Sequence, residues 1–426
     1  ADLYKKYRKA ERLLRGTWNH FCGPAAVDRF QHFVISAGGS DLLVCRRTLR
    51  FFDTDKDRTN KESVGIMKIM CMYLPQYHTF EENDKWWGEG YTEWTAVRQA
   101  VPLYKGHMQP RIPLDQRYYD LVKQGVETWQ WQAFLAKQYG IYGFSIYQYW
   151  FLGKQLMGKP MELLLAHPEI DIRYSICWAN ETWTRTWYGL ADQILMKQDY
   201  GAEPDWRTHF EYLLPFFKDE RYVKEDGKPV FQIYRSFDIP CLQEMLACFH
   251  KWAKEAGFPG IYVVSGKTAG LQEQRRQLID AYYYFEPGYT LKHDFGRFHQ
   301  SCYNGSVLLR SLFNKVSGKK ILERRIPGGW ILDRIAGRHY EENEFPGLIP
   351  DWDNTPRRSY KGLVYKNTNP AAFEKVLRTL KEKVSGDRAD YIFINAWNEW
   401  GEGAMLEPDE VKGYGYLEAI RRVAEE

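Results

Sequence analysis

Two glutamates three residues apart, Glu399 and Glu402 in the stretch Asn398-Glu399-Trp400-Gly401-Glu402-Gly403, are the residues of this chain best suited to chemistry. Breaking a glycosidic bond takes one carboxylic acid to protonate the leaving oxygen and a second carboxylate to act as nucleophile or base. Gly401 and Gly403 permit a tight backbone, so both acids can face one cavity. An aromatic-walled, low-dielectric site would raise one carboxyl pKa and leave the other ionised, which separates acid from base. The plain alternative is a solvated turn or a salt-bridged loop end. Glu181, which follows Asn180, is a second candidate acid: it could pair with Glu399 across a barrel, bind substrate, or form an ion pair with Arg185 four residues on.

The setting favours sugar chemistry. The 426 residues include 16 Trp, 30 Tyr and 23 Phe, an aromatic content of 16%. Aromatic rings fill cores, and they also line clefts where an apolar face meets the C–H face of a sugar. Many of them cluster with polar residues in a few short segments. One runs from Tyr73 through Gln76 and His78 to Trp86, Trp87, Glu93 and Trp94; another holds Tyr149 and Trp150. A third holds Trp178, Asn180, Glu181, Trp183, Arg185 and Trp187; Tyr234 stands alone; the last two hold Trp352 with Asp353, and Asn395 with Trp397 and Trp400. The aromatic residues are expected to stack on sugar rings and Gln76, His78, Glu93, Asn180, Glu181, Arg185, Asp353 and Asn395 to satisfy hydroxyls. Trp129 and Trp131 fall inside a helical stretch and are expected in the core. His78 has no second histidine or carboxylate at ligand spacing, so no metal is expected there, and no cofactor is called for.

These segments sit where a barrel would place them. Short apolar runs alternate with amphipathic stretches from Ile66 onward, the pattern of repeated βα units. Strands are expected over 66–77, 141–149, 174–180, 230–234, 261–265, 281–285, 347–352 and 391–397, with helices over 119–139, 207–218, 241–256 and 371–383. Eight units predict an α/β fold, a single (β/α)₈ TIM-type barrel over 66–426. Its active site lies at the carboxyl ends of the strands, where the quoted segments fall. The stretch 288–344 reads as an insertion of short helices over one barrel face. Residues 1–65 read as a separate extension: a basic helical start, a hairpin near 33–51, and the polar run from Asp53 to Ser63 as a linker. Asp53, Asp55 and Asp57 alternate as calcium ligands do, but Arg58 and Val64 occupy the positions where a calcium loop needs glycine and glutamate.

Composition narrows the partner. With 44% hydrophobic and 27% charged residues, the chain can bury a substantial core. No run is long enough to span a bilayer. A net charge of +4, with no dense basic stripe interleaved with aromatics, speaks against nucleic acid. The expected partner is a poly- or oligosaccharide. Seven cysteines, odd in number and widely spread, are expected as reduced thiols, and together with a charged amino-terminal start they point to the cytoplasm.

The segments also resemble a known family. Tyr-Leu-Pro-Gln-Tyr-His (73–78), Trp-Trp-Gly-Glu-Gly-Tyr-Thr-Glu-Trp (86–94), Cys-Trp-Ala-Asn-Glu-Thr-Trp-Thr-Arg (177–185), Trp-Asp-Asn-Thr-Pro-Arg (352–357) and Ala-Trp-Asn-Glu-Trp-Gly-Glu-Gly (396–403), with Leu-Glu-Pro at 406–408, are similar to those of the WbsX-type family. That family is labelled glycosyltransferase, and it resembles the (β/α)₈ endo-mannosidases and endo-mannanases of glycoside hydrolase family 99. The resemblance covers Ile66 to Ala424. It implies Glu402 as general acid/base at the glycosidic oxygen and Glu399 as the base on the sugar's own 2-hydroxyl, with a 1,2-anhydro sugar opened by water and net retention. It leaves three readings: a retaining endo-acting hydrolase of a bacterial surface or environmental polysaccharide, a transferase of O-antigen or capsule assembly, and a carbohydrate-binding protein without catalysis. The sequence offers the transferase no Walker-type loop and no dinucleotide Gly-x-Gly-x-x-Gly.

Overall fold

A computed structural model of the chain describes residues 67–184, 194–270, 277–384 and 391–426. The expectations placed on residues 1–65 and on Arg185 lie outside the described residues.

Eight parallel strands form the centre: β1 (Lys68–Tyr73), β2 (Gly143–Phe151), β3 (Arg173–Trp178), β4 (Lys228–Ile233), β5 (Tyr262–Lys267), β6 (Ala281–Tyr284), β7 (Glu344–Phe345 and Gly347–Leu348) and β8 (Tyr391–Ile394). Their order is sequential, and β8 returns beside β1. The two halves of β7 close the ring: Glu344–Phe345 pairs with β6 and Gly347–Leu348 with β8. Pro346 splits this strand because it has no N–H for the ladder, while its carbonyl still accepts from Phe393 N at 2.9 Å. The strand therefore begins three residues earlier and ends sooner than its apolar run suggests. All nine residues of β2 and all four of β8 are buried, as expected where side chains face barrel interior on one side and helices on the other.

The helices are α1 (Glu81–Trp87), α2 (Glu93–Gln99), α3 (Gly125–Gln138), α4 (Lys159–Ala166), α5 (Glu203–Lys218), α6 (Leu242–Glu255), α7 (Arg297–Ser317), α8 (Gly328–Gly337), α9 (Thr355–Arg358), α10 (Pro370–Val384) and α11 (Gly415–Ala424). Helix α3 starts six residues after the expected 119. The Asp120 carboxylate accepts from the backbone N–H groups of Val122 and Lys123, both at 2.9 Å, and this local turn competes with a helical one. The segment 288–344 departs from a set of short helices. It carries α7, 21 residues long, then a short strand, Arg324–Pro327, paired in parallel with Leu363–Lys366 outside the barrel, and then α8.

The core around β1 and β2 is aromatic. Phe144 on β2 is fully buried among Tyr73, Trp129 and Trp397, with ring centroids 5.3, 6.2 and 5.0 Å away. Phe144→Ala is expected to cost about 3–5 kcal/mol, because the surrounding rings cannot collapse into the space left. A clear fall in the chemical-denaturation midpoint checks this; an unchanged midpoint would show that the layer is slack.

Candidate active site

The segment after β8 is a hairpin, and its geometry brings the glutamate pair together. Asn398–Glu399 pairs antiparallel with Ala404–Met405, and Trp400–Glu402 forms one 3₁₀ turn between them. Residues three apart lie above one another in such a turn, so Glu399 and Glu402 reach the same side. Gly403 closes the turn at φ +64°, and a Cβ there would meet the backbone of Asp353 at about 3 Å. Asn398 fixes the hairpin to the end of β1: its side chain accepts from Leu74 N at 2.8 Å and donates to Leu74 O at 3.0 Å. Below the turn, the buried carboxylate of Glu407 accepts from Trp400 Nε1 and Gln132 Nε2, both at 2.7 Å, and from Tyr119 at 3.0 Å. Burial still pushes its pKa up to about 7.

One arginine organises the acids. Arg357 in α9 donates through Nη2 to Glu399 Oε2 at 2.9 Å, through Nη1 to Glu402 Oε1 at 2.8 Å, and through Nε to Glu93 Oε1 at 2.7 Å. All four side chains are buried or nearly so. Among the described residues no donor reaches Glu399 Oε1 or Glu402 Oε2, so each acid keeps one oxygen uncommitted. Gly401 is obligatory, since a Cβ there would fall 1.7 Å from Glu93 Oε1. The loop bearing Arg357 is anchored by Asp353, which accepts from His107 at 2.7 Å, Gln109 at 2.8 Å and Thr355 at 2.6 Å, while its N–H donates to Glu402 O at 2.6 Å. Burial opposes the charge on Asp353, but these bonds outweigh it and hold the carboxyl below its usual range. For the glutamate pair burial wins. Both are raised despite Arg357, with mutual repulsion adding to Glu399, which reaches about 8. At neutral pH the pair therefore holds a proton and shares its titration.

The pair faces a cavity of about 290 Å³ whose described walls come from the carboxyl-terminal halves of the eight strands or the segments after them. Leu74 and Gln76 follow β1; Tyr147 and Tyr149 lie on β2; Glu181 and Trp183 follow β3; Tyr234 follows β4. Ala269 follows β5, Phe285 and Leu291 follow β6, and Trp352 follows β7. Trp87 adds a ring from α1. Trp183 is fixed edge-on against Tyr149 at 4.9 Å and Trp86 at 5.5 Å. Glu181 pairs with Arg235 at 2.7 Å, and burial raises its pKa.

Of the residues expected to bind substrate, Gln76, Trp87, Tyr149, Glu181, Trp183, Tyr234 and Trp352 line this cavity, and the rest of the described ones stand behind it. Tyr73 stacks on Trp129 at 4.5 Å and bonds Gln132. His78 is buried with Nδ1 on Pro75 O. Trp86 backs Trp183, and Glu93 backs Arg357. Trp94 and Trp178 spend their indole N–H groups on the carbonyls of Tyr119 and Trp150, and Trp397 is fully buried. Asn180 clamps the backbone of Arg235, Asn395 donates to Glu286 O, and Asp353 anchors its loop. The tryptophans at the strand ends thus divide between cavity wall and core, because a barrel end needs bulky packing beneath its cavity as well as around it. Sequence reading passed over Arg357, Tyr147 and Glu407. Tyr147 had a signal: it shares the face of β2 with Tyr149.

The family described as Glycosyltransferase WbsX has a model that matches residues 69–420. The chain belongs to the WbsX family. Curated relatives include the protein named Uncharacterized protein WxcX in two strains of Xanthomonas campestris pv. campestris, each 32% identical over 364 residues; the match covers 83% of this chain and 49% of theirs. The chain thus spans about half the length of these relatives. Among solved structures, a glycoside hydrolase-like protein aligns over 86% of this chain and 97% of its own at TM-score 0.50 and 12% identity, a likeness of fold. The GH99 endo-alpha-mannosidase of Bacteroides thetaiotaomicron aligns over 86% of this chain and 97% of its own at TM-score 0.48 and 13% identity. The WbsX match contains the hairpin, Arg357 and every described wall of the cavity.

The raised pKa of Glu399 fixes a pH signature. The folded chain keeps a proton that the unfolded chain has released above about pH 4.5, so this group lowers stability progressively as pH rises to about 8. Glu399→Gln removes the term. Its melting temperature should gain on the wild type by about 1–2 °C per pH unit between pH 5 and 8. A constant difference across that range would show that the buried proton resides elsewhere.

Proposed function

We propose that the chain is a retaining glycoside hydrolase that acts within a polysaccharide, of bacterial surface or environmental origin, with Glu402 and Glu399 as its catalytic pair. The observation that carries this reading is the three-carboxylate cluster on Arg357, with two acids each keeping one oxygen toward an aromatic-walled cavity. Glu402 protonates the leaving glycosidic oxygen as the C–O bond breaks. Glu399 takes the proton of the sugar's 2-hydroxyl, whose oxygen forms the new bond to the anomeric carbon. Water then opens the 1,2-anhydro ring, giving up its proton to Glu402 while Glu399 returns its own to the 2-oxygen. Two inversions at one carbon leave net retention. The route needs a trans relation between the 2-hydroxyl and the leaving group. A cis sugar would make Glu399 a direct nucleophile or a base on water.

The cavity's polar groups suit a neutral glycan. Among its described walls the only cation is Arg357, whose donors already serve Glu93, Glu399 and Glu402, so it offers a diphosphate no free partner, while the carboxyl oxygens left over can bond hydroxyls. The second reading, transfer from an activated sugar in surface-polysaccharide assembly, rests on the description of the WbsX family. Sugar binding without catalysis would leave a buried, pKa-raised pair without a task.

Glu402→Gln and Glu399→Gln should each lower turnover about 10²–10⁴-fold while oligosaccharide binding persists; near wild-type rates in both would remove the assignment. Incubation with polysaccharides, and separately with nucleotide sugars plus acceptor, separates hydrolysis from transfer. Acceptor-dependent nucleotide release without glycan cleavage would establish the second reading.

A further inference from the structure

The longest helix turns an apolar face away from the protein. In α7, Phe298, Leu309, Leu312, Phe313 and Val316 return to one side of the helix, with Cys302 and Gly305 between them. Phe298, Leu309 and Val316 are 76%, 70% and 87% exposed. The opposite side carries Asn314, the helix's one buried residue, which bonds Ile321 N, Ile321 O and Glu323 and so ties α7 to the body. Arg310 also faces inward, donating to Glu323 O at 2.8 Å.

The charge around this face has one sign. No Asp or Glu occurs from Phe295 to Leu322, while Arg297, Lys315, Lys319 and Lys320 are exposed at its flank and end. An exposed apolar stripe bordered by cations, on a helix with no carboxylate of its own, has the composition of a helix that lies in the headgroup plane of a bilayer. No helix among the described residues is long and apolar enough to cross a membrane, so contact through α7 would be interfacial. A second copy of the chain would bring two sets of cations together at the same seam. The amino-terminal 65 residues also carry more Lys and Arg than Asp and Glu. Neither complements the charge; an anionic lipid surface does.

We propose that α7 is an interfacial helix that seats the chain on an anionic membrane, inserting the Phe298–Val316 stripe between headgroups and pairing Arg297, Lys315, Lys319 and Lys320 with lipid phosphates. The helix starts six residues after Leu291, a wall residue of the cavity, so lipid contact and active site share one connecting segment. The proposal is independent of whether the reaction is hydrolysis or transfer.

The test is flotation of the full chain with vesicles of equal parts phosphatidylglycerol and phosphatidylcholine, against phosphatidylcholine alone. Binding is expected to the anionic vesicles and to weaken with salt. The pair Leu309→Ser with Val316→Ser, and separately the triple Lys315→Glu, Lys319→Glu and Lys320→Glu, should each reduce vesicle affinity at least about tenfold with melting temperature unchanged. The substituted side chains are all exposed, and if one variant misfolds the other still decides. Failure to float, equal binding to neutral vesicles, or binding untouched by both variants would overturn the proposal. So would a wild-type dimer that the serine variant dissolves, which would make a second copy the occupant, or a soluble acidic protein that binds the stripe while vesicles do not.

Discussion

A single guanidinium holds the site together. Three buried carboxylates, from a helix after β1 and a hairpin after β8, converge on Arg357, which is itself carried by the loop after β7. Burying so many acids in one place is unfavourable unless each is paired and hydrogen-bonded. Arg357 meets all three through its fork of donors, a geometry that lysine's point charge cannot reproduce. Much of the surrounding structure protects this contact. Asp353 anchors the loop, Gly401 leaves room for Glu93, Asn398 clips the hairpin to β1, and Glu407 holds Trp400 beneath the turn.

The same contact accounts for the electrostatics. Arg357 favours ionised carboxylates, burial and mutual repulsion favour protonated ones, and the balance leaves Glu399 and Glu402 raised. Burial thus leaves two acids above their usual range, Glu399 at about 8, each with one oxygen uncommitted. An unpaired cluster would destabilise the fold.

How much of this was legible in the sequence depended on range. The eight strands were legible as short apolar runs, and the glutamate pair as two acids spaced around glycines. Pro346 shifted one strand because a missing N–H matters only beside a partner, and the partner is distant in sequence. Helix α3 lost its first six residues to a local turn held by a side-chain bond at Asp120, a competition that periodicity does not register. Helix α7 read as short helices because its apolar residues face outward and Gly305 interrupts them. Arg357 lay within a quoted motif yet remained unassigned, for its partner Glu93 stands 264 positions away. The tryptophans misled for the opposite reason: residue type tells that a ring belongs at the barrel top, but not whether it points into the cavity or beneath it.

The walls of the cavity come from the ends of eight strands and the segments after them, whereas the acids and their arginine come from three of these. The shape of the chamber and its charged cluster are therefore carried by largely separate pieces of chain. The connections after β3 to β6 can vary in length and composition, reshaping the chamber without disturbing the charged cluster. Divergence among relatives should collect there, while the turn around Gly401 stays almost unaltered, since any larger residue at that point would expel its neighbouring acid.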